Sequence, residues 1–199
     1  MKNKQFDISN IFQDQNKKVK GACAKAIFNY LKAKASEDDL KKIKEKIQSY
    51  GFNINLDNIS PVKMYPIGLE LAIIFSLSEV LNWKEKEIKE LGRNVPKLSF
   101  IVKFFIKYLI SLEKGYKSSP IYWKTHFNFG ILETPEINKK EKYLILVLKD
   151  FSIHPLYCKF LEGYFETMAG FILGKRDVSC NETKCVYRGD NYHEFKIQW

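Results

Sequence analysis

Apolar residues recur at helical spacing in the N-terminal half of the chain. Residues 18–34 place them three or four positions apart, which predicts an amphipathic helix. Ser36, followed by Asp38 and Asp39, predicts the start of a second helix, because a hydroxyl caps the free amides and acidic groups favour the first turn. Gly51 predicts where that helix ends.

Three further helices are predicted before the pattern changes. An apolar helix is expected over 66–82, and a short charged helix over 84–91 that ends at Gly92. Pro96 is expected to open a long helix that runs to about Lys114, since proline is tolerated in the first turn of a helix.

The C-terminal half is more strand-like. Residues 121–132 and 143–148 predict two strands, and 155–173 predicts a buried helix because it is apolar on most of its surface. Two short strands follow over 176–183 and 193–199. The predicted fold class is therefore α+β: an N-terminal helical bundle plus a small antiparallel β-sheet (ββαββ) covered by a buried helix.

One continuous domain is expected, with three parts. Residues 1–17 are predicted to form a flexible N-terminus, 18–114 a helical region that dimerises, and 115–199 an α/β region. A homodimer is therefore the expected assembly.

Charge and composition narrow the class of partner. The formal net charge is +10, but the lysines are interleaved with glutamates, as on solvated helix faces, so a nucleic-acid partner is not expected. The two longest apolar stretches are short and contain charged residues, and no signal peptide is visible, so we expect a cytoplasmic protein without a transmembrane segment. Its four cysteines should then stay reduced.

Four metal-ligating side chains are expected to meet at one corner of the sheet. Cys158 lies in the first turn of the buried helix, Glu182 and Cys185 end the next strand, and His193 begins the last strand on the same face as Phe195. Thiolate, imidazole and carboxylate are ligands that zinc accepts, and four protein ligands would make the site structural rather than catalytic.

Ordinary interpretations of the same residues stay open. Cys158 could be a buried thiol, and Cys180 and Cys185 could form a disulfide. His193 could be a hydrogen-bonded strand histidine, and Glu182 a surface residue.

The stretch LEGYFETMAGFILGKRDVSCNETKCVYRGDNYHEFKI resembles the 4-vinyl reductase domain family. The resemblance rests on a Gly-Tyr before a glycine-rich buried helix, a Glu-x-x-Cys, and a Gly-Asp turn followed by Phe. The matching residues are Gly163, Tyr164, Gly170, Gly174, Glu182, Cys185, Gly189, Asp190 and Phe195. His193 stands where the family usually has a second hairpin cysteine, and Cys158 matches a cysteine of the phenol-sensing members.

The resemblance implies a site, a pocket and a fold. Zinc would be held by Cys158, Glu182, Cys185 and His193. Members hold small apolar molecules between the sheet and its helices, and the corresponding candidates here are Trp123, Phe127, Tyr157, Tyr164 and Met168. The implied fold is shared with transport protein particle subunits, and the family is distantly related to haem-based nitric oxide sensors.

Three function classes follow. The first is a non-enzymatic sensor or binding module for a small hydrophobic molecule, with a structural zinc clamping the C-terminal hairpin. The second is an interaction scaffold that resembles vesicle-tethering subunits. The third is a reductase-type enzyme or a haem-based gas sensor. Against haem, His126 is predicted to be exposed on a strand and His154 to be a cap or turn residue.

Overall fold

The computed structural model describes residues 8–99, 102 and 112–199. In these residues, seven helices of the α type and two antiparallel sheets form an α+β fold, as predicted. No helix in this part of the chain is long and apolar enough to cross a membrane.

The N-terminal half is helical. Its elements are α1 (Ile8–Gln13), β1 (Lys18–Lys20), α2 (Ala22–Lys32), α3 (Glu37–Ser49), β2 (Met64–Pro66), α4 (Ile67–Val80) and α5 (Glu85–Leu98). Ser36 caps α3 by accepting the Asp39 amide at 3.1 Å. Helix α4 is buried along most of its length, which explains why it is apolar on nearly all faces.

The C-terminal half builds a four-stranded sheet. Its elements are α6 (Leu112–His126), β3 (Ile131–Asn138), β4 (Tyr143–Lys149), α7 (Pro155–Leu173), β5 (Ser179–Lys184) and β6 (His193–Gln198). The strand order is β3-β4-β6-β5, and every pair is antiparallel. Helix α7 lies against this sheet and also against α5.

Two glycines let α5 and α7 come close together. A Cβ on Gly163 would lie 1.9 Å from the Lys89 carbonyl oxygen, and one on Gly92 would lie 2.1 Å from the Phe160 carbonyl oxygen. Both contacts are with backbone, so neither neighbour can move aside cheaply. This close approach holds α7 in place over the sheet.

Several predicted element bounds were wrong. Residues 121–126 belong to helix α6 rather than to a strand, and the strand begins at Ile131. Gly92 and Pro96 both lie inside α5 instead of ending and starting helices. Most of the helix predicted after Pro96 lies outside the described residues. In the N-terminal segment, α1 begins at Ile8.

Candidate functional site: an apolar cavity and a four-residue cluster

An apolar cavity of about 300 Å³ lies between α6, α7 and the sheet. Its wall combines aromatic, aliphatic and a few polar residues. All five predicted ligand-binding residues line it: Trp123, Phe127, Tyr157, Tyr164 and Met168. The cavity is at the lower end of the size range of small-molecule pockets.

Aromatic rings build one side of this wall. The ring of Trp123 stacks on that of Phe127 at 4.1 Å, and Phe151 packs edge-on against Trp123 behind it. The Trp123 indole donates to the Phe129 carbonyl at 3.1 Å, which satisfies its polar atom. The wall is therefore fixed by side-chain packing before any ligand enters.

A small polar corner interrupts the apolar wall. The hydroxyls of Tyr122 and Tyr164 lie 2.9 Å apart, and the thiol of Cys23 also lines the cavity. Burial raises the pKa of Cys23 and of Tyr164 well above their ordinary values, and burial is also the main cause of a raised pKa at Tyr122. These groups are therefore uncharged at neutral pH.

His126 was predicted to be exposed on a strand, and this was wrong. It lies at the end of α6, is 5% exposed and lines the cavity. Its Nδ1 lies 3.0 Å from the Tyr122 carbonyl oxygen. Burial lowers its pKa. Helical periodicity over residues 112–126 would have given it this position, but the aromatic and threonine content suggested a strand.

The four predicted metal-ligating residues do come together. One ligand atom from each of Cys158, Glu182, Cys185 and His193 lies within 4.8 Å of all the others. Cys158 comes from the first turn of α7, Glu182 from β5, Cys185 from just after it, and His193 from the start of β6. No other group of this kind occurs in residues 8–99, 102 and 112–199.

Hydrogen bonds orient the histidine of this cluster. Its Nδ1 lies 2.8 Å from Glu182 Oε1 and 3.7 Å from Cys158 Sγ, while its Nε2 lies 2.8 Å from the Phe151 carbonyl oxygen. Because a carbonyl only accepts, Nε2 carries a proton. A histidine that donates one nitrogen to a carbonyl while the other faces acidic ligands has the arrangement common at metal sites.

The electrostatics of the cluster favour one thiolate. A hydrogen bond from Cys158 is the largest cause that lowers the pKa of Cys185 to about 6, and that same bond together with burial raises the pKa of Cys158. The Cys185 amide donates to Asp190 Oδ2 at 2.7 Å, which fixes the turn after β5. Burial is the largest single influence on the pKa of His193 and lowers it, but the hydrogen bonds to Glu182 and to the Phe151 carbonyl, together with the charges of Glu182 and Cys185, raise the pKa overall.

The structure also decides two of the alternatives left open by the sequence, a Cys180–Cys185 disulfide and the position of His154. Cys180 and Cys185 are both free thiols, so they form no disulfide. His154 is the N-cap of α7, since its Nδ1 accepts the Leu156 amide at 3.2 Å. It takes no part in the cavity wall described here.

Comparisons with known proteins identify the fold. The sequence matches none of the protein-family models, and it matches no curated protein. An H-NOX protein from S. oneidensis in the Fe(II)NO state aligns over 90% of this chain and 98% of its own, with 13% identity and a TM-score of 0.66. An oxygen-binding H-NOX domain related to soluble guanylate cyclases aligns over 89% and 91%, with 14% identity and a TM-score of 0.56.

A third structure, described as probing haem distortion in the H-NOX family, aligns over 90% of this chain and 94% of its own at 16% identity, with a TM-score of 0.62. The chain has the H-NOX fold. This agrees with the predicted relation to haem-based nitric oxide sensors, whereas the 4-vinyl reductase family is not confirmed.

The cofactor prediction needs correction. Structural zinc was predicted, but the solved structures with this fold are described with haem or an Fe(II) centre. On these comparisons, the prediction of structural zinc as the cofactor is wrong. The four-residue cluster stands as a geometric fact without an assigned ion.

The cavity fits haem poorly. Haem needs an axial ligand, and His126 is the one histidine among the described residues of the wall. The described wall contains no Lys or Arg to pair with the two haem carboxylates, whose unpaired burial is costly. A cavity of about 150 Å³ holds benzene, so about 300 Å³ holds roughly twelve non-hydrogen atoms, far fewer than a porphyrin contains.

Proposed function

We propose that this chain is a non-enzymatic sensor or binding module that holds a small hydrophobic molecule in the cavity between α6, α7 and the sheet. The observation that carries this proposal is an apolar, aromatic-walled cavity of about 300 Å³. The fold supports it, since one matched structure is described as an oxygen-binding H-NOX domain and another as an H-NOX protein in an Fe(II)NO state. Cys23 and Tyr164, two polar groups of the wall, are uncharged at pH 7, which suits binding better than acid–base chemistry.

Native mass spectrometry of untreated protein tests this function. We expect the folded chain to carry a non-covalent adduct of small mass, or to take up an added apolar compound of about a dozen non-hydrogen atoms. A Trp123→Ala variant would enlarge the cavity, and Trp83→Ala, outside the described wall, is its control. Protein that neither carries nor takes up any such compound would support the scaffold interpretation instead.

A haem-based gas sensor is the second candidate. The comparisons favour it over a zinc-clamped module, because the matched solved structures are described with haem. His126 supports it as well, since its Nδ1 faces a backbone carbonyl and its ring lines the cavity. The small volume of the cavity and the lack of Lys and Arg in the described part of its wall count against it.

An absorbance spectrum of protein expressed with added haem precursor separates the two candidates. A Soret band that His126→Ala removes, with unchanged folding by circular dichroism, would favour haem. Absence of the band, together with binding of an apolar compound, would favour direct binding in the cavity.

We also propose that Cys158, Glu182, Cys185 and His193 hold a divalent transition-metal ion. Sulfur, nitrogen and oxygen ligands in one cluster suit ions of borderline softness. The alternative is a self-sufficient network, in which the His193–Glu182 pair and the two thiols satisfy each other.

Elemental analysis for first-row transition metals decides between these alternatives. The unaltered protein should contain about one ion per chain, and Cys185→Ala should lose it. Cys180→Ala is the control and should keep the ion, because its thiol is buried on β5 outside the cluster. Protein without any such ion after metal-replete expression would contradict the proposal.

Dimerisation through 18–114 remains a prediction. Light scattering coupled to size-exclusion chromatography measures it directly. A mass near 23.4 kDa at all concentrations would contradict it.

A further inference from the structure

Lysines and apolar residues share the outer face of the small β1–β2 sheet. In this antiparallel pair, Lys20 lies opposite Met64, and Lys18 lies opposite Pro66. Because paired residues point to the same side of an antiparallel sheet, all four side chains lie on one face. Val19, between the two lysines, is buried and lines the cavity on the other side. The lysines are therefore turned away from the cavity.

Two large apolar side chains are exposed at the turn that leads into β2. Val62 is 65% exposed and Met64 is 40% exposed, and Lys63 between them is exposed as well. An exposed apolar residue that stands alone on a surface needs no explanation. Two of them flanked by lysines form an amphipathic surface, which combines apolar area with positive charge.

The chain segments that meet at β1 contain lysines but no acidic residue. Residues 118–132 reach β1 through the Asn128 amide, which donates to the Lys18 carbonyl at 3.1 Å. Together with residues 15–36 and 58–69, this segment holds eight lysines and no Asp or Glu. Clustered charge of one sign creates a positive potential, and this potential attracts anionic partners.

The acidic residues nearest in sequence to β1 and to the exposed turn are already paired. Asp14 lies 3.9 Å from the Lys17 ammonium group, and Asp57 pairs with both Lys32 and Lys44. Within the part of the chain that the structure describes, the lysines of the outer face and of the turn have no acidic partner: Lys18, Lys20 and Lys63. Their charges are therefore available to an anion.

We propose that Lys18, Lys20, Val62, Lys63 and Met64, together termed the β1–β2 patch, bind the surface of an anionic lipid bilayer. The lysine ammonium groups pair with anionic head groups, and the two apolar side chains enter the boundary between head groups and acyl chains. The apolar pair favours a bilayer over a nucleic acid, because phosphate contacts alone would leave both side chains in water. This interaction does not depend on what the cavity holds, so it goes beyond the function proposed for the cavity.

Co-sedimentation of the full chain with lipid vesicles tests this proposal. One set of vesicles contains only phosphatidylcholine, and in the other about one lipid in three is phosphatidylserine. The anionic vesicles should bind the protein at least about twentyfold more tightly, since each lysine near such a surface strengthens binding about fivefold. Because salt screens the attraction, raising the ionic strength from about 0.1 M to about 1 M should remove most of this preference.

A matched pair of charge variants locates the contact. Lys18→Gln/Lys20→Gln should bind anionic vesicles about twentyfold more weakly than the unaltered protein. Its control is Lys140→Gln/Lys175→Gln, which lowers the net charge equally but alters two exposed lysines on other parts of the surface. The control should keep the affinity of the unaltered protein within about threefold, because charges beyond a Debye length are screened.

A second pair of variants tests the apolar side chains. Val62→Ser/Met64→Ser should weaken binding to anionic vesicles about tenfold, because less apolar area then enters the bilayer. Its control is Ile131→Ser/Phe171→Ser, which removes two exposed apolar side chains from other elements and should leave the affinity unchanged. Circular dichroism checks that all four variants fold.

Four results would overturn the proposal. The first is equal binding to neutral and anionic vesicles, and the second is unchanged binding of either patch variant. The third is a dimer that Val62→Ser/Met64→Ser loses in light scattering, which would identify a second copy of the chain as the occupant. The fourth is absence of vesicle binding together with binding of a single-stranded oligonucleotide that Lys18→Gln/Lys20→Gln abolishes. The comparison of the two vesicle sets uses the unaltered protein, so it holds even if a variant does not fold.

Discussion

Glu70 should make the stability of this protein depend on pH near neutrality. Its side chain lies inside the protein, 1% exposed, between α4 and α7, and the Tyr157 hydroxyl donates to it at 2.7 Å. Burial raises its pKa from 4.5 to about 7, although Tyr157 and the Ala24 amide act in the opposite direction. The protonated acid is therefore the form that the folded state prefers at mildly acidic pH.

The direction of this pH dependence follows from the difference in proton binding between the folded and unfolded states. A carboxyl whose pKa is higher in the folded state binds its proton more tightly there, so folding is favoured when the group is protonated. The contribution is fully present below about pH 4.5 and is lost as the pH rises to about 7. The shift from 4.5 to about 7 is 2.5 units, which corresponds to about 3 kcal/mol of unfolding free energy.

Urea denaturation of the unaltered protein and of Glu70→Gln, at pH 5 and at pH 8.5, measures this contribution. Glutamine keeps an oxygen acceptor for Tyr157 but does not titrate. The three histidines occur in both proteins, so their titration cancels in the difference. Between pH 5 and pH 8.5, the unaltered protein should lose about 2–3 kcal/mol relative to the variant. A difference between the two proteins that stays constant with pH would refute the argument.

Two further predictions concern α7. Gly163→Ala should lower the unfolding free energy by about 3 kcal/mol, because its Cβ would collide with the Lys89 carbonyl. The control Gly115→Ala meets only the movable side chain of Ile172 and should change the unfolding free energy by under about 1 kcal/mol. Equal melting temperatures for both variants would contradict the close helix crossing. His154→Ala should cost about 1 kcal/mol through loss of the α7 N-cap, measured by chemical denaturation, and no change would mean that the Leu156 amide finds another acceptor.

The periodicity of apolar residues predicted the elements in which the sequence pattern is unambiguous. Helix α7 was predicted over its full length, because its apolar surface and the glycine at its end agree. Strand β6 was predicted from alternation, with Phe195 and Ile197 buried as expected. The prediction for the α6 region was wrong, because Gly115 and Pro120 favour the end of a helix, yet both lie inside α6. Burial against α7 and the sheet outweighs their low helix propensity.

The cluster could be predicted, and the polar corner of the cavity could not. Strand parity placed His193 inward, and antiparallel pairing of β5 with β6 brought Glu182 opposite Phe195. In contrast, Tyr122 and Tyr164 lie on different helices that are 42 residues apart in sequence, and nothing local indicates that their hydroxyls meet. Only the helix crossing determines that distance. Glu70 is similar, since a glutamate in an apolar helix does not reveal its partner on α7.

One helix connects the cavity and the cluster. Adjacent residues of α7 serve both, since Tyr157 lines the cavity and Cys158 belongs to the cluster. Phe151 links them a second time, because its carbonyl accepts from His193 while its ring packs on Trp123. The H-NOX fold therefore provides the frame, but the chemistry depends on which side chains α6 and α7 turn inward. In their described residues these two helices provide tyrosine hydroxyls, aromatic rings and His126, and the proposed binding of a small hydrophobic molecule rests on these side chains.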